Sequence, residues 1–191
     1  MNNIIKETST ALKVFIGFSI LLGLVYPLSI TAIAQLTMPD KANGSLIKIN
    51  NKIVGSKLIG QEFKGEKYFN SRPSAVDYNA AGSGGSNLGP TSKKLIDLTT
   101  ERLNQTRKIN NISGKMPADM VLASASGLDP HISIKNALLQ IPRISKTRNI
   151  SEAKLKELVD KNTDPDFIGI WGQAGVNVLK VNIDLDKLSE K

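Results

Sequence analysis

No charged residue lies between Lys13 and Asp40, and most of the intervening chain is Val, Ile, Leu, Phe and Ala. About 26 such residues wound as an α-helix at 1.5 Å each reach roughly 39 Å. The hydrocarbon core of a bilayer is about 30 Å thick, so the run can span it with room for tilt. A chain of 191 residues has no use in water for a helix that is apolar on every face. The sequence therefore predicts a cytoplasmic N-terminus over 1–13, a transmembrane helix over 14–37 and a polar domain over 40–191. The competing reading is a secretory signal. Lys6 and Lys13 make a basic n-region, and Ala32-Ile33-Ala34 before Gln35 has the small-residue pattern of a cleavage site. Cutting after Ala34 would release a secreted binding protein. The apolar run exceeds the roughly 7–15 residues of a signal core, which favours the uncleaved anchor. On either reading the n-region stays inside and the long downstream domain crosses, giving an extracytoplasmic domain.

Within the span, Ser19, Gly23, Pro27 and Thr31 recur every four residues. Small side chains let helices approach closely in lipid, and hydroxyls can bond across the contact. The stripe predicts packing against a partner helix, with a kink where Pro27 removes the hydrogen bond to the Gly23 carbonyl.

The chain has no cysteine and a single histidine, His131. A disulfide scaffold is excluded, and so is a zinc site built on Cys and His within one chain. Of the formal net charge of +8, the segment through Lys13 holds +1 (Lys6, Lys13 and Glu7), leaving +7 on the rest. The basic residues come singly or in pairs with few aromatics among them, which describes a solvated surface and not a nucleic-acid platform.

Short strands are expected at Ser45–Ile49 and Lys52–Ile59 around an Asn50-Asn51 turn. Residues 62–90 are rich in Gly, Ser, Asn and Tyr without periodicity, and loops of that length are functional or disordered. Helices are expected from Ser92 to about Lys108, from Ser133 to a break or kink at Pro142, and from Ser151 to Asn162. Met120–Ala123 and the alternating Val176–Leu185 read as further strands. The expected fold class is a single N-terminal transmembrane α-helix followed by a mixed α/β (α+β) extracytoplasmic domain.

Candidate chemistry is sparse. Gly84 and Gly89 have the spacing of a phosphate loop, but Pro90 stands where the lysine is required. Ser124, Ser126, Asp129 and His131 supply the residue types of a hydrolytic triad, too close together in sequence to fold back on one another and without a nucleophile elbow. No catalytic residue is expected. Arg72, in Tyr68-Phe69-Asn70-Ser71-Arg72-Pro73, has two readings of equal weight: an interface anchor, or one half of a local ion pair that pins its loop. Gln140, Arg143 and Arg148 form a second polar cluster around Pro142.

Five ordered segments then carry a resemblance over nearly the whole chain. They are Tyr68-Phe69-Asn70-Ser71-Arg72-Pro73-Ser74-Ala75, Ser83-Gly84-Gly85-Ser86-Asn87-Leu88-Gly89-Pro90, Pro117-Ala118-Asp119 with Ser124 to Ser133, Gln140-Ile141-Pro142-Arg143, and Val176-Asn177-Val178-Leu179 to Asn182. Together behind one N-terminal span they resemble the C subunit of the Kdp-type potassium-transporting P-type ATPase. Gly175, where the family pattern suggests Pro, and Trp171 depart from it.

The resemblance implies a non-catalytic accessory subunit of a potassium uptake complex. Its partners would be a channel-like potassium-translocating subunit, a P-type ATPase subunit, a small single-span subunit and the bilayer. No cofactor would be bound stably; the complex handles ATP and potassium. Docking would fall to Tyr68, Phe69, Arg72, Pro73, Ser83, Gly84, Gly85 and Asn87. The family is described as a catalytic chaperone that raises the ATP affinity of the ATPase subunit, which makes Gln140 and Arg143 candidate nucleotide contacts. An extracytoplasmic domain has no access to cytoplasmic ATP, and the chain carries no nucleotide fingerprint.

Overall fold

The computed structural model describes residues 2–63, 65–166 and 172–189, so Trp171 lies outside the described residues. Its internal contacts separate two units, Met1–Leu46 and Ile47–Lys191.

The N-terminal unit is helical: α1 (Asn2–Ile20), one π-helical turn (Leu21–Val25), α2 (Tyr26–Thr37) and the short α3 (Pro39–Ala42). Asn3–Thr37 is long and apolar enough to cross a membrane, and none of it is buried within the chain. Pro27 has no N–H, so the turn before it loses an ordinary four-residue hydrogen bond. The helix responds by widening there: the Tyr26 N–H donates to the Leu21 carbonyl, five residues back. The expected disturbance at Pro27 thus takes the form of a π-bulge. In an α-helix a four-residue step overshoots one turn by about 40°, whereas in the wider turn it undershoots. The bulge therefore straightens the Ser19–Gly23–Pro27–Thr31 stripe. The Thr31 hydroxyl donates to the Pro27 carbonyl at 2.8 Å, so it enters any helix contact as an acceptor.

A hairpin follows, β1 (Leu46–Ile49) and β2 (Lys52–Ser56), all of it but Leu46 in the second unit. Asn50 and Asn51 both have positive φ, 48° and 63°, as the tight turn requires. Among the described residues no regular element follows until α4 (Lys93–Asn110), which ends on a left-handed Asn111. A single 3-10 turn at Ala118–Met120 replaces the strand expected at Met120–Ala123. Then come β3 (His131–Ser133), α5 (Ile134–Arg148), α6 (Glu152–Lys161), β4 (Thr163–Asp164), β5 (Gly175–Asn177) and α7 (Val178–Ser189). The three strands form an antiparallel sheet in the order β3-β5-β4, with Ile132 opposite Val176 and Thr163 opposite Val176 on the other side.

Two helix boundaries are instructive. Pro142 sits inside α5 without ending it; it lies on the exposed side of the helix, and it costs the helix one backbone hydrogen bond. The strand expected over Val176–Leu185 stops at Asn177. Asn177 Oδ1 accepts from the Lys180 N–H at 3.2 Å, as a cap does. Val178, Val181 and Leu185 then point one helical face into the core. Alternation and helical spacing coexist in this segment, and the cap decides between them.

The core is a single cluster that includes Phe69, Ile132, Ile144, Leu155, Val176 and Leu185. Phe69 is the exception in origin, because it comes from the irregular segment and has no exposed surface. The expectation that Phe69 forms part of a docking surface is corrected here: its ring is a core side chain.

Candidate functional site

An irregular segment of more than thirty residues must find partners for its backbone polar groups outside any ladder. For residues 66–70 buried polar side chains of the helices supply them, and elsewhere in the segment the Gly60 and Gly84 N–H groups donate to the Leu128 and Ser126 carbonyls. Asn182 of α7 accepts from the Phe69 N–H at 2.9 Å and donates to the Phe69 carbonyl at 2.8 Å. Gln140 of α5 does the same for the next residue, accepting from the Asn70 N–H at 2.8 Å and donating to the Asn70 carbonyl at 3.2 Å. Each amide thus does the work of a neighbouring strand.

Arg143, one turn further along α5, completes the clamp. Its guanidinium donates to the Tyr68 carbonyl at 2.9 Å, to Asn70 Oδ1 at 3.1 Å, to Gln140 Oε1 and Asn110 Oδ1 at 2.8 Å each, and to the Glu66 carbonyl. Burial pulls its pKa down to about 10 against the opposing pull of Glu66, so it stays charged at neutral pH. The polar row continues toward the start of α5. Gln140 donates to Asn136 at 2.8 Å, and Asn136 donates to Asp119 at 3.0 Å. Asp119 also accepts from the Ser133 N–H and hydroxyl.

This places the two candidate nucleotide contacts. Gln140 and Arg143 are 2% and 7% exposed, and every nitrogen of the Arg143 guanidinium is engaged within the fold. Gln140 borders a cleft of only 260 Å³, below the roughly 300–1,000 Å³ of small-molecule sites. Their hydrogen-bonding capacity goes into holding residues 65–70.

The remaining sequence-derived residues separate into held and presented groups. Tyr68 is half-buried, its hydroxyl 3.2 Å from Asp186 and its ring 4.8 Å beneath the Arg148 guanidinium. Arg72 Nη1 meets Asp129 Oδ2 at 2.8 Å, which is the local ion pair among its two readings. The Pro73 carbonyl accepts from the Ser124 N–H. Ser83 and the Gly84 N–H both donate to the Ser126 carbonyl. Gly85 lies so close to 125 that a Cβ would meet the Ala125 carbonyl oxygen at 2.9 Å. Facing Gly84, Gly127 has φ +67°, and a Cβ there would lie 2.5 Å from Val76, so both conformation and space require glycine. The Ser83–Pro90 loop is therefore docked through its glycines, and Ser83 and Asn87 are exposed at its surface.

A second cleft, of about 730 Å³, is bordered by Arg72, Asp119, Asp129, His131, Lys135 and Asp164. Here His131 Nε2 lies 2.9 Å from Asp164 Oδ2, and Lys180 Nζ 2.8 Å from Asp164 Oδ1. Burial alone would raise the Asp164 carboxyl, but hydrogen bonds from Lys180 and His131 outweigh it and hold it below the usual carboxylate range. The neighbours of His131 are carboxylates, not Ser124 or Ser126. The Ser126 hydroxyl instead accepts from the Leu128 N–H. Among the described residues no cluster suited to a metal ion occurs. Arg72 pairs with Asp129, and Asp164 is shared by His131 and Lys180, while Asp119 is taken up by Ser133 and Asn136, so these groups pin loops to one another.

The residues that hold this arrangement without having been singled out in the sequence for a role are Asn136, Asn177 and Asn182, all buried. Asn177 Nδ2 donates to the Lys57 carbonyl at 2.9 Å, fastening the base of the hairpin.

This arrangement of motif residues matches a known family. The model of KdpC, the K+-transporting ATPase c chain, covers residues 8–187. The chain belongs to the KdpC family. It is 44% identical over 187 residues to the potassium-transporting ATPase KdpC subunit of Mycobacterium bovis (strain BCG / Pasteur 1173P2), covering 96% of this chain and 99% of that one. The subunit of the same name from Koribacter versatilis (strain Ellin345) is 45% identical over 184 residues, at 95% and 94% coverage. That from Rhodopseudomonas palustris (strain BisB5) is 44% identical over 201 residues, at 98% and 100% coverage. The matched range contains all five motif segments, of which Gln140–Arg143 and Val176–Asn182 are mostly buried and Ser83–Pro90 is mostly exposed.

Acid stability offers a test of the helix packing beside the clamp. Burial would raise the Asp184 carboxyl, but hydrogen bonds from Lys187, Lys161 and Asn162 prevail and hold it at about 2, against an ordinary 3.8. A depressed carboxylate stabilises the fold above its unfolded value, and that contribution is lost as pH falls through the folded one. Both lysines are largely exposed, so the pairs are worth about 1 kcal/mol in sum. Denaturant unfolding of the parent and of Asp184→Asn is expected to differ by that amount at neutral pH, the gap closing as pH falls from near 4 toward 2. A gap that persists at pH 2 would show that the difference is not electrostatic.

Proposed function

We propose that this chain is a non-catalytic accessory subunit of an ATP-driven potassium uptake complex, anchored by its apolar helix and needed for assembly of the larger subunits. The observation that carries this reading is the use made of the motif residues. Gln140, Arg143, Asn182, Arg72 and Gly127 are spent on shaping one long irregular segment, as a docking module requires and an active site does not. The N-terminus is cytoplasmic and the folded domain extracytoplasmic. The partners are a channel-like potassium-translocating subunit, a P-type ATPase subunit and a small single-span subunit. No cofactor belongs to this chain; ATP and potassium are handled by the complex. Any effect on ATP affinity passes through contact with the ATPase subunit, because Arg143 has no donor to spare. Within the membrane, Ser19, Gly23, Pro27 and Thr31 face a partner helix. In the domain, Ser83 and Asn87 lead the docking surface, supported by Gly84, Gly85, Tyr68, Arg72 and Pro73.

A C-terminally tagged chain solubilised in mild detergent is expected to bring down a large P-type ATPase and a multi-span subunit with potassium-stimulated ATPase activity. Recovery of a lone chain beginning at Gln35 from the soluble extracytoplasmic fraction would instead establish the cleaved, secreted reading. A Cβ at Gly23 meets nothing within 4 Å in this chain, so Gly23→Leu leaves the helix itself intact. It is expected to reduce recovery of the partners at least about tenfold by blocking close helix approach. Unchanged recovery would remove the stripe from the interface.

A further inference from the structure

Between Asp40 and Glu62 the chain contains four lysines (Lys41, Lys48, Lys52 and Lys57) and no acidic residue. In the same stretch Ile53 is 60% exposed and Leu58 62%, with Leu46, Ile49 and Val54 also open to solvent. Such a density of bare apolar side chains on a two-stranded hairpin is unfavourable in water. Its base is fastened: Asn177 holds the Lys57 carbonyl, and Gln61 Nε2 donates to the Val54 carbonyl at 3.0 Å. Its tip is the Asn50-Asn51 turn, with lysine on either side.

Position in the chain supplies the occupant. The long apolar helix ends at Thr37, and β1 begins at Leu46. Nine residues extend at most about 30 Å, and part of this stretch is the compact α3, so the hairpin is tethered near the bilayer surface. Exposed Ile, Leu and Val interspersed with lysine are the composition of an interfacial membrane segment. The apolar groups enter the headgroup–acyl boundary, while lysine stems lie along it with their ammonium groups on anionic headgroups. We infer that the β1–β2 hairpin is a lipid-binding element that rests on the membrane surface and binds anionic headgroups through Lys48, Lys52 and Lys57. The inference rests on the anchor reading above, and it holds for either leaflet.

The absence of cysteine makes Ile53→Cys a unique labelling site. The full chain, labelled there with a polarity-sensitive fluorophore, is placed in vesicles of phosphatidylcholine with and without phosphatidylglycerol. With phosphatidylglycerol the label is expected to shift to the blue, to be quenched by headgroup-level nitroxide lipid and to be shielded from iodide. Changing Lys48, Lys52 and Lys57 to Gln should reverse this, each lysine weakening the bound state by about fivefold. A chain that floats with the vesicles while its label stays in water in both compositions overturns the inference and leaves the anchor intact. A chain that does not float overturns both. In the assembled complex, shielding from iodide and from nitroxide lipid alike would assign the hairpin to a protein partner and overturn the lipid reading.

Discussion

Arg143→Met is expected to destabilise the domain by about 3–5 kcal/mol, the cost of removing one side of a buried charged network. The loss has an identifiable source. With the guanidinium gone, the Tyr68 and Glu66 carbonyls and the side-chain oxygens of Asn70, Gln140 and Asn110 lose a donor together. Methionine fills the space and can satisfy none of them. Arg143→Lys tests the geometry separately from the charge. A single ammonium cannot reach acceptors spread around a planar fork, so the lysine variant is expected to recover less than half of the loss. Denaturant unfolding of the detergent-solubilised chain measures both. Proteolysis within residues 63–73 should rise in parallel, because that segment is what the guanidinium holds. A stable Arg143→Met chain with an intact loop would mean that Gln140 and Asn182 suffice alone.

The helices were legible because local rules and tertiary packing agree in them. Ser133 and Ser151 accept from the N–H groups of Asn136 and Lys154 as N-caps should, and Asn111 and Asn149 close helices in the left-handed conformation. The hairpin was legible from Asn50-Asn51 and the apolar span from its length. The Val176–Leu185 segment misled because Val at alternate positions satisfies a strand pattern, while the burial of Val178, Val181 and Leu185 satisfies a helical one. Only the cap at Asn177 distinguishes them, and a lone Asn signals weakly. The site was harder for a different reason. Residues 62–90 contain no periodicity because they pair with no ladder, and several of their partners are side chains more than fifty residues away in sequence, such as Asn182 for Phe69 and Asp129 for Arg72. Family resemblance located those motifs without saying which were surface and which were interior. An aromatic, an arginine and a proline in one loop suggest an interface, and here the aromatic is core and the arginine is paired.

Phe69 turns that distinction into a measurement. It is fully buried, and both its backbone polar groups are held by Asn182, so its ring enters the core from a segment with no ladder to support it. Phe69→Ala is expected to cost about 3–5 kcal/mol through lost burial and the cavity left in the core cluster. Phe69→Leu retains most of the volume and is expected to cost about 1.5 kcal/mol or less. A docking residue would behave in the opposite way, leaving the lone chain as stable as before and weakening only its recovery with partners. The decisive comparison is therefore the unfolding midpoint of the chain by itself against the yield of the complex. For Phe69 both should fall together. For Asn87→Gly the midpoint should hold while the yield falls, because that side chain is exposed and glycine keeps the left-handed φ of 52° at this position. The same five motifs would then divide into an interior set that shapes the loop and a small outer set that partners read.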